Sequence, residues 1–229
     1  MNSIIVSDEN SKITDSLRKL GYNIINSECI DDLLPFERKH SDIQCLRIDD
    51  TFFVANNCRK LKSIMQNLGL NVIETENPIK KDYPDNIILN AVYTGNKLYC
   101  KESALDNSVK KYCSKNNIEI INVNQGYTKC STAVIKNKFI TADKGIFNAL
   151  SDNGAEALLI NSGNITLPGC DYGFIGGCCF ENNETVFFTG DLNNHPDGKA
   201  IEEFIKKQKV NIKSLTDNEL YDIGGFVII

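Results

Sequence analysis

The sequence contains two histidines, the side chains that most often transfer protons near neutral pH. His40 lies in the segment HSDIQCLRIDD, with the carboxyl group of Asp42 two residues later and an apolar run behind it. A histidine beside a carboxylate can act as a general acid and base in a catalytic centre. A histidine before a strand is also compatible with a solvated loop, so both interpretations of His40 stay open at this point.

The second histidine, His195, lies in the segment HPDG, between an apolar strand and a helical pattern. Pro, Asp and Gly in this order are typical of a turn, and Asp197 stands where a helix N-cap is expected. We therefore interpret His195 as a structural residue.

The composition favours a folded protein in a reducing compartment. Of the 229 residues 41% are hydrophobic, and the net charge of -5 mixes both signs along the chain, which leaves no basic stripe for a nucleic acid. Nine cysteines is an odd number, and no CxxC or HxxxH spacing offers a zinc site, so neither metal nor cofactor is expected. No run approaches the roughly 18 apolar residues that span a membrane. We expect a cytoplasmic protein without nucleic-acid or membrane partners.

Five short apolar strands recur along the chain at a nearly constant interval. They are IIVSD, FFVAN, LYCKE, FITAD and VFFTG, which begin at residues 4, 52, 98, 139 and 186. The period is about 46 residues, which is typical of repeat and propeller architectures. Each leading strand precedes a stretch with helical apolar spacing, at 11–20, 58–68, 104–115, 144–152 and 198–208. A second strand, a polar loop and a third strand follow each helix.

The last third strand, at 224–229, has no following unit, and the first leading strand has no strand before it. Unpaired strand edges are unfavourable, so the economical expectation is that these two strands pair. This predicts an α/β fold in which five β-α-β-β units form a closed ring, as a single domain over 1–229. The units are approximately 1–50, 51–96, 97–137, 138–184 and 185–229. An open mixed sheet of five similar units is the alternative.

Four of the five junctions between a polar loop and a third strand carry distinctive segments: HSD at 40–42, NQGYTKCS at 124–131, LPGCDYGFIGG at 167–177 and YDIGG at 221–225. With the five-unit pattern, they resemble the pentein fold, the α/β-propeller of the guanidine-modifying enzymes. That superfamily includes arginine deiminases, dimethylarginine hydrolases, amidinotransferases and a non-catalytic ribosome anti-association factor. Fold alone therefore does not decide function.

The resemblance implies roles for particular residues. HSD is similar to the HxD motif of these enzymes, with His40 as acid and base and Asp42 as its partner. NQGYTKCS is similar to the Gly-rich segment before their nucleophile, which implies Cys130, and the two remaining segments imply Asp171 and Asp222 as guanidinium ligands. The order along the chain is a circular permutation of the usual one. The segment YPDNII marks the fifth junction, where the family needs no site residue.

The implied chemistry suits these residue types. A guanidinium carbon is a poor electrophile, so its attack needs a thiolate. Two carboxylates hold the planar cation over the sulfur, and a histidine protonates the leaving amine and then deprotonates water. Asp42, two residues along a strand from His40, is expected on the same side as the imidazole. The expected activity is hydrolysis or amidino transfer through a thiouronium intermediate on a small cationic guanidino substrate.

Each of these residues also has a purely structural interpretation. Buried cysteines mostly behave as small hydrophobic residues, so Cys130 can be part of the core. Asp171 and Asp222 stand beside glycines, as turn residues often do. A non-catalytic module that binds a protein, a ribosome or a metabolite is therefore the alternative function. The sequence also leaves a homodimer open.

Overall fold

The computed structural model describes residues 3–229. The chain forms fifteen short strands and six α-helices within these residues. The leading strands are β1 (Ser3–Val6), β4 (Thr51–Val54), β7 (Lys97–Cys100), β10 (Lys138–Thr141) and β13 (Thr185–Phe188). The helices that follow them are α1 (Ser11–Lys19), α3 (Arg59–Asn67), α4 (Asn107–Lys115), α5 (Lys144–Asp152) and α6 (Gly198–Lys207).

A second and a third strand complete each repeat, and one further helix, α2, is a single turn. The second strands are β2 (Asn23–Asn26), β5 (Asn71–Glu74), β8 (Glu119–Asn122), β11 (Ala157–Leu159) and β14 (Asn211–Ser214). The third strands are β3 (Cys45–Ile48), β6 (Val92–Thr94), β9 (Thr132–Ile135), β12 (Cys179–Asn182) and β15 (Val227–Ile228). The short helix α2 (Ser41–Gln44) lies directly before β3.

The fifteen strands form five three-stranded sheets, each with a leading strand in its centre. The leading strand pairs in parallel with the second strand of its own unit and antiparallel with the preceding third strand. The sheet that contains β1 takes its third member from the other end of the chain, because Ile4 pairs with Ile228 and Ile5 with Val227. The predicted pairing of the two terminal strands is present.

The central strands explain the continuous apolar runs in the sequence. Ile4, Ile5 and Val6 of β1 are fully buried, as are Phe53 and Val54 of β4, because both faces of each central strand are covered. The helices cover one face with one apolar stripe each. The sheets and helices together hold the loops before the third strands in fixed positions.

Local residue chemistry determines where the helices begin and end. Asn10 and Asp143 cap α1 and α5, since their side chains accept hydrogen bonds from the amides of Ile13 and Ile146. Gly21 and Gly69 follow α1 and α3 with φ of +86° and +78°, the left-handed backbone with which helices commonly end at glycine.

Asp197 stands at the N-cap position of α6 but does not cap that helix with its side chain, contrary to the sequence interpretation. Its carboxylate accepts hydrogen bonds from the backbone and side-chain amides of Asn161, the backbone amide at 2.7 Å. Asp197 therefore binds Asn161, which is distant in sequence, instead of an amide in the first turn of α6.

The residues directly before β3 and β15 do not form extended strand. Residues 41–44 form α2 because Asp42 donates its N–H to the carbonyl of Gly224 and Ser41 donates its hydroxyl to that of Gly225. The expectation that Asp42 follows His40 along a strand is therefore wrong. The last strand begins only at Val227, since Gly224 and Gly225 have φ of +77° and +75°, which is not extended backbone.

None of the helices within residues 3–229 is long and apolar enough to cross a membrane.

Candidate active site

Four of the predicted site residues line one cavity of about 230 Å³. They are His40, Cys130, Asp171 and Asp222, which come from four different repeats. The other lining residues are Phe36, Glu37, Ile43, Tyr127, Leu167, Cys170, Tyr172 and Phe174. The loops before the third strands thus bring residues that are distant in sequence to a common space.

Cys130 lines this cavity and is 3% exposed. Asn90 fixes its position: the amide Nδ2 lies 3.0 Å from Sγ, and Oδ1 accepts hydrogen bonds from the backbone amides of Lys129 and Cys130, at 2.7 and 3.3 Å. Sequence reasoning missed Asn90. Its only signal is its position just before β6, at the junction to which the resemblance gave no role.

The surroundings of Cys130 keep its thiol protonated at rest. Burial raises the pKa of Cys130 well above its ordinary value, and the carboxyl groups of Asp42 and Asp222 raise it further. The hydrogen bond from Asn90 acts in the opposite direction. A positive charge next to Sγ would lower this pKa, because it would offset the two carboxyl groups.

His40 is buried against the glycine pair of the YDIGG segment. A Cβ atom on Gly224 would lie 2.2 Å from Cγ of His40, so only glycine fits against the imidazole. The positive φ of Gly224 also favours glycine at this position. Nε2 of His40 is buried and has no hydrogen-bond partner in the part of the chain that the structure describes.

Asp42 is buried beside Cys130. Burial raises its pKa from 3.8 to about 6; His40 lowers this pKa and Asp222 raises it. Asp42 is the one predicted site residue that does not line the cavity holding Cys130. It lines a second cavity, of about 210 Å³, together with residues of β3, β6, β9 and β15.

Asp222 lies between the segment GFIGG at 173–177 and the glycine pair at 224–225. Its Oδ2 accepts a hydrogen bond from the amide of Phe174 at 2.8 Å, and its Oδ1 accepts one from the amide of Gly224 at 2.9 Å. A Cβ atom on Gly177 would lie 1.8 Å from Oδ1, so this glycine admits the carboxylate. Each oxygen keeps one lone pair for a cation in the cavity.

Asp171 differs from Asp222 because it is exposed at the cavity and lies in an irregular loop. The neighbouring Cys170 lies close to several acidic groups. Burial raises the pKa of Cys170, and the charges of Asp222, Glu37 and Asp171 raise it further. All three carboxyl groups line the cavity.

Glu37 is a buried carboxyl group in the cavity that sequence reasoning missed. It accepts hydrogen bonds from Nδ2 of Asn86 at 3.2 Å and from the hydroxyl of Tyr127 at 3.3 Å. Burial raises the pKa of Tyr127, and the negative charge of Glu37 adds to that effect. The only sequence signal for Glu37 is its position three residues before His40.

The remaining histidine lies outside this site. His195 is buried and does not line the cavity; its Nδ1 accepts a hydrogen bond from the amide of Asp197 at 3.1 Å. Burial lowers its pKa. Within residues 3–229, no group of three or more His, Cys, Asp or Glu side chains is arranged to hold a metal ion.

Solved structures with this fold include several enzymes. DDAH from Pseudomonas aeruginosa, complexed with citrulline, is 11% identical, with a TM-score of 0.59 over 99% of this chain and 98% of that chain. The N-terminal domain of ArgZ, covalently bound to a reaction intermediate, is 8% identical, with a TM-score of 0.56 over 99% and 95%. SxtG, an amidinotransferase from Microseira wollei, is 12% identical, with a TM-score of 0.51 over 93% and 87%.

These likenesses define the class of fold: the chain has the pentein fold of the guanidine-modifying enzymes. The resemblance seen in the sequence is confirmed at the level of the fold. The chain belongs to the family described as "Family of unknown function (DUF6873)", which matches residues 4–227. No curated protein sequence matches it.

Proposed function

We propose that this protein is an enzyme that hydrolyses or transfers the guanidino or amidino group of a small cationic compound through a covalent intermediate on Cys130. The proposal rests on one observation: His40, Cys130, Asp171 and Asp222 line the same cavity although they come from four repeats. The fold shared with hydrolases and an amidinotransferase supports it.

In the first half-reaction the substrate guanidinium lies against Asp222 and Asp171, whose carboxylates bind its N–H groups. The Cys130 thiol then transfers its proton to His40, and Sγ forms a bond to the guanidinium carbon. His40 donates a proton to the departing nitrogen, and the carbon–nitrogen bond breaks with release of an amine or ammonia. The product on the enzyme is an S-linked thiouronium group.

In the second half-reaction His40 removes a proton from water, which attacks the same carbon. The carbon–sulfur bond breaks, the thiolate leaves, and a ureido product forms. If an amine takes the place of water, the same steps transfer the amidino group to that amine. Asp42 acts through its neighbours, as a positioning residue next to Cys130 and His40.

The substrate itself helps to generate the thiolate. The thiol of Cys130 is protonated at rest because burial and two carboxyl groups raise its pKa. A guanidinium over Sγ adds a positive charge at short distance, which favours the thiolate over the thiol. The nucleophile is therefore formed only when a cation occupies the cavity.

The proposal includes a closed ring of five units in a single domain, in which the order of the units along the chain is circularly permuted relative to the usual enzymes. Pairing of β15 with β1 supports the closure, as do the contacts of β15 with β3 and of β12 with β9. Terminal strands that pair with each other are compatible with circular permutation. A cytoplasmic location and a lack of nucleic-acid partners stay predictions.

One observation favours the alternative of a non-catalytic binding module. A thiol whose pKa is raised well above its ordinary value is a weak nucleophile when the cavity is empty. A module that only binds a cation would need the carboxylates and not the thiolate. The reactivity of Cys130 therefore separates the two functions.

Labelling with 2-chloroacetamidine tests the proposal. Its amidinium should bind Asp222 and lower the pKa of Cys130, so we expect Cys130 to react at least about tenfold faster than any of the other eight cysteines. Neutral iodoacetamide should show no such preference. Peptide mass mapping after brief exposure measures both rates.

The variant Cys130→Ser should abolish the selective labelling, and Asp222→Asn should weaken it. The variant Cys170→Ser should leave the labelling intact. Label spread evenly over the cysteines would favour the binding module. A screen of guanidino compounds for ammonia or ureido products then identifies the reaction.

A further inference from the structure

The cavity that holds Cys130 contains more carboxyl groups than one guanidinium needs as ligands. Glu37, Asp171 and Asp222 line it, and no Lys or Arg within residues 3–229 does so. A planar guanidinium over Cys130 engages Asp222 and Asp171 in the proposed function. The carboxylate of Glu37 is left over.

Glu37 is buried without a positive partner. Its side chain is 2% exposed, and its hydrogen bonds come from neutral groups, the amide of Asn86 and the hydroxyl of Tyr127. No ion pair within residues 3–229 includes Glu37, and the adjacent Arg38 does not pair with it. A buried carboxylate with only neutral partners is costly, and a cation beside it would offset much of that cost.

We propose that Glu37 is a specificity-determining residue that binds a second positive group of the substrate. The substrate then carries a guanidinium at one end, an amine or a second guanidinium at the other, and no acid group. This inference rests on the proposed function, because it takes the same cavity as the substrate site.

The apolar walls of the cavity suit a hydrocarbon linker. Tyr127 donates a hydrogen bond to Glu37 at 3.3 Å and lines the same cavity as Cys130. Its ring packs against Phe174 with centroids 6.2 Å apart and nearly parallel planes. Aromatic and aliphatic walls such as these favour a chain of methylene groups between the charged ends.

An α-amino acid fits this charge pattern poorly. Among the proteins with the same fold, DDAH is complexed with citrulline, and ArgZ is an arginine dihydrolase. The carboxylate of such a ligand would meet three carboxyl groups in this cavity and no lysine or arginine, which makes its desolvation unfavourable. The cavity therefore selects against the amino acid and for its decarboxylated counterpart.

Binding to the full-length Cys130→Ser variant tests this inference without turnover. Three probes share one guanidinium and a four-carbon chain or longer: 4-aminobutylguanidine, butylguanidine and arginine. Isothermal titration calorimetry should give an affinity for 4-aminobutylguanidine at least about tenfold higher than for butylguanidine, and higher again than for arginine.

The additional substitution Glu37→Gln should remove the advantage of 4-aminobutylguanidine over butylguanidine, because the two compounds differ only in the amine that Glu37 binds. Glu203→Gln is the matched control, because Glu203 is exposed on α6 and its loss changes the net charge equally. This control should keep the preference. Thermal unfolding of each variant checks that it is folded.

The outcomes distinguish the two proposals. Equal affinities for 4-aminobutylguanidine and butylguanidine, or tighter binding of arginine, would overturn the second cation subsite while guanidine binding itself stands. Binding of none of the three probes would contradict the proposed function and the subsite with it. If Glu37→Gln fails to fold, the ranking of the three probes on the parent variant still decides.

Discussion

The side chain of Asn90 connects the nucleophile to the rest of the molecule. One amide group binds Sγ of Cys130 through Nδ2 and two backbone N–H groups through Oδ1. A second hydrogen bond of Nδ2 reaches the carbonyl of Asp42 at 3.3 Å. Because one planar group makes all these contacts, the Asn90 amide cannot rotate without breaking several hydrogen bonds at once, and it holds Nδ2 in place against the thiol.

Asp42 should make folding stability depend on pH. Its pKa in the folded protein, about 6, exceeds the ordinary value of 3.8, so the folded state binds this proton more tightly than the unfolded state. The contribution of Asp42 to the free energy of unfolding is therefore full below pH 4 and is lost as pH rises through 6. Asp42→Asn cannot ionise and should be more stable than the wild type at pH 8 by about 1 to 3 kcal/mol.

Urea unfolding of Asp42→Asn at pH 8 and pH 4 measures this difference, which should nearly vanish at pH 4. The matched control is Asp15→Asn, because Asp15 lies on the exposed face of α1 and pairs only with Arg18. A variant that is equally stabilised at both pH values, or destabilised at pH 8, would contradict a raised pKa for Asp42.

At the scale of the elements, turns as well as strands build the site. The glycine pair 224–225 turns the chain directly before β15 and packs on His40 and Asp42. The segment at 173–177 packs on Asp222 in the same way. His40, Asp42 and Asp222 therefore each lie against backbone from another repeat, and a change in one turn reaches residues that are far away in sequence.

Two glycine substitutions separate backbone strain from contact with the site. Gly21→Ala and Gly224→Ala both introduce a side chain at positive φ, which costs about 1 kcal/mol in each case. A Cβ atom meets nothing within 4 Å at Gly21, whereas at Gly224 it would overlap the imidazole of His40. We expect Gly21→Ala to keep the selective labelling of Cys130 and Gly224→Ala to lose it, because the displaced imidazole disturbs the cavity.

Thermal melts and labelling of the two variants compare these effects directly. Identical labelling rates in the two variants, at similar melting temperatures, would show that contact with His40 is unimportant.

Much of this arrangement could be predicted from local patterns. The five long helices lie within three residues of the stretches with helical apolar spacing, because one buried stripe per helix leaves a clear period. The helix α2 and the roles of Asn90 and Glu37 could not be predicted. Each depends on contacts with a different repeat, and a single sequence carries no periodic signal for such contacts.

At the scale of the whole molecule, the two ends of the chain share one sheet. Removal of residues 218–229 should leave β1 with an unpaired edge and remove Asp222 from the cavity. We expect a chain that ends at Asp217 to melt at least about 10 °C lower or to associate through the exposed edge. Calorimetry and size-exclusion chromatography measure both effects.

The full-length variant Asp222→Asn is the control for this truncation, because it changes the site and keeps β15. It should keep the assembly state of the wild type, and its melting temperature should change much less than that of the truncated chain. An unchanged melting temperature and assembly state in the truncated chain would contradict a closed ring.

The shared sheet also has a consequence for how the protein is made. Among the strands described, β1 comes first along the chain and its partner β15 comes last, so this sheet is completed only after the elements between them have been synthesised. Asp222 and the glycines that pack on His40 and Asp42 come directly before β15. Synthesis of this segment is therefore also the step that completes the cavity, and a chain terminated before it carries Cys130 without Asp222 and without the glycine that packs on His40.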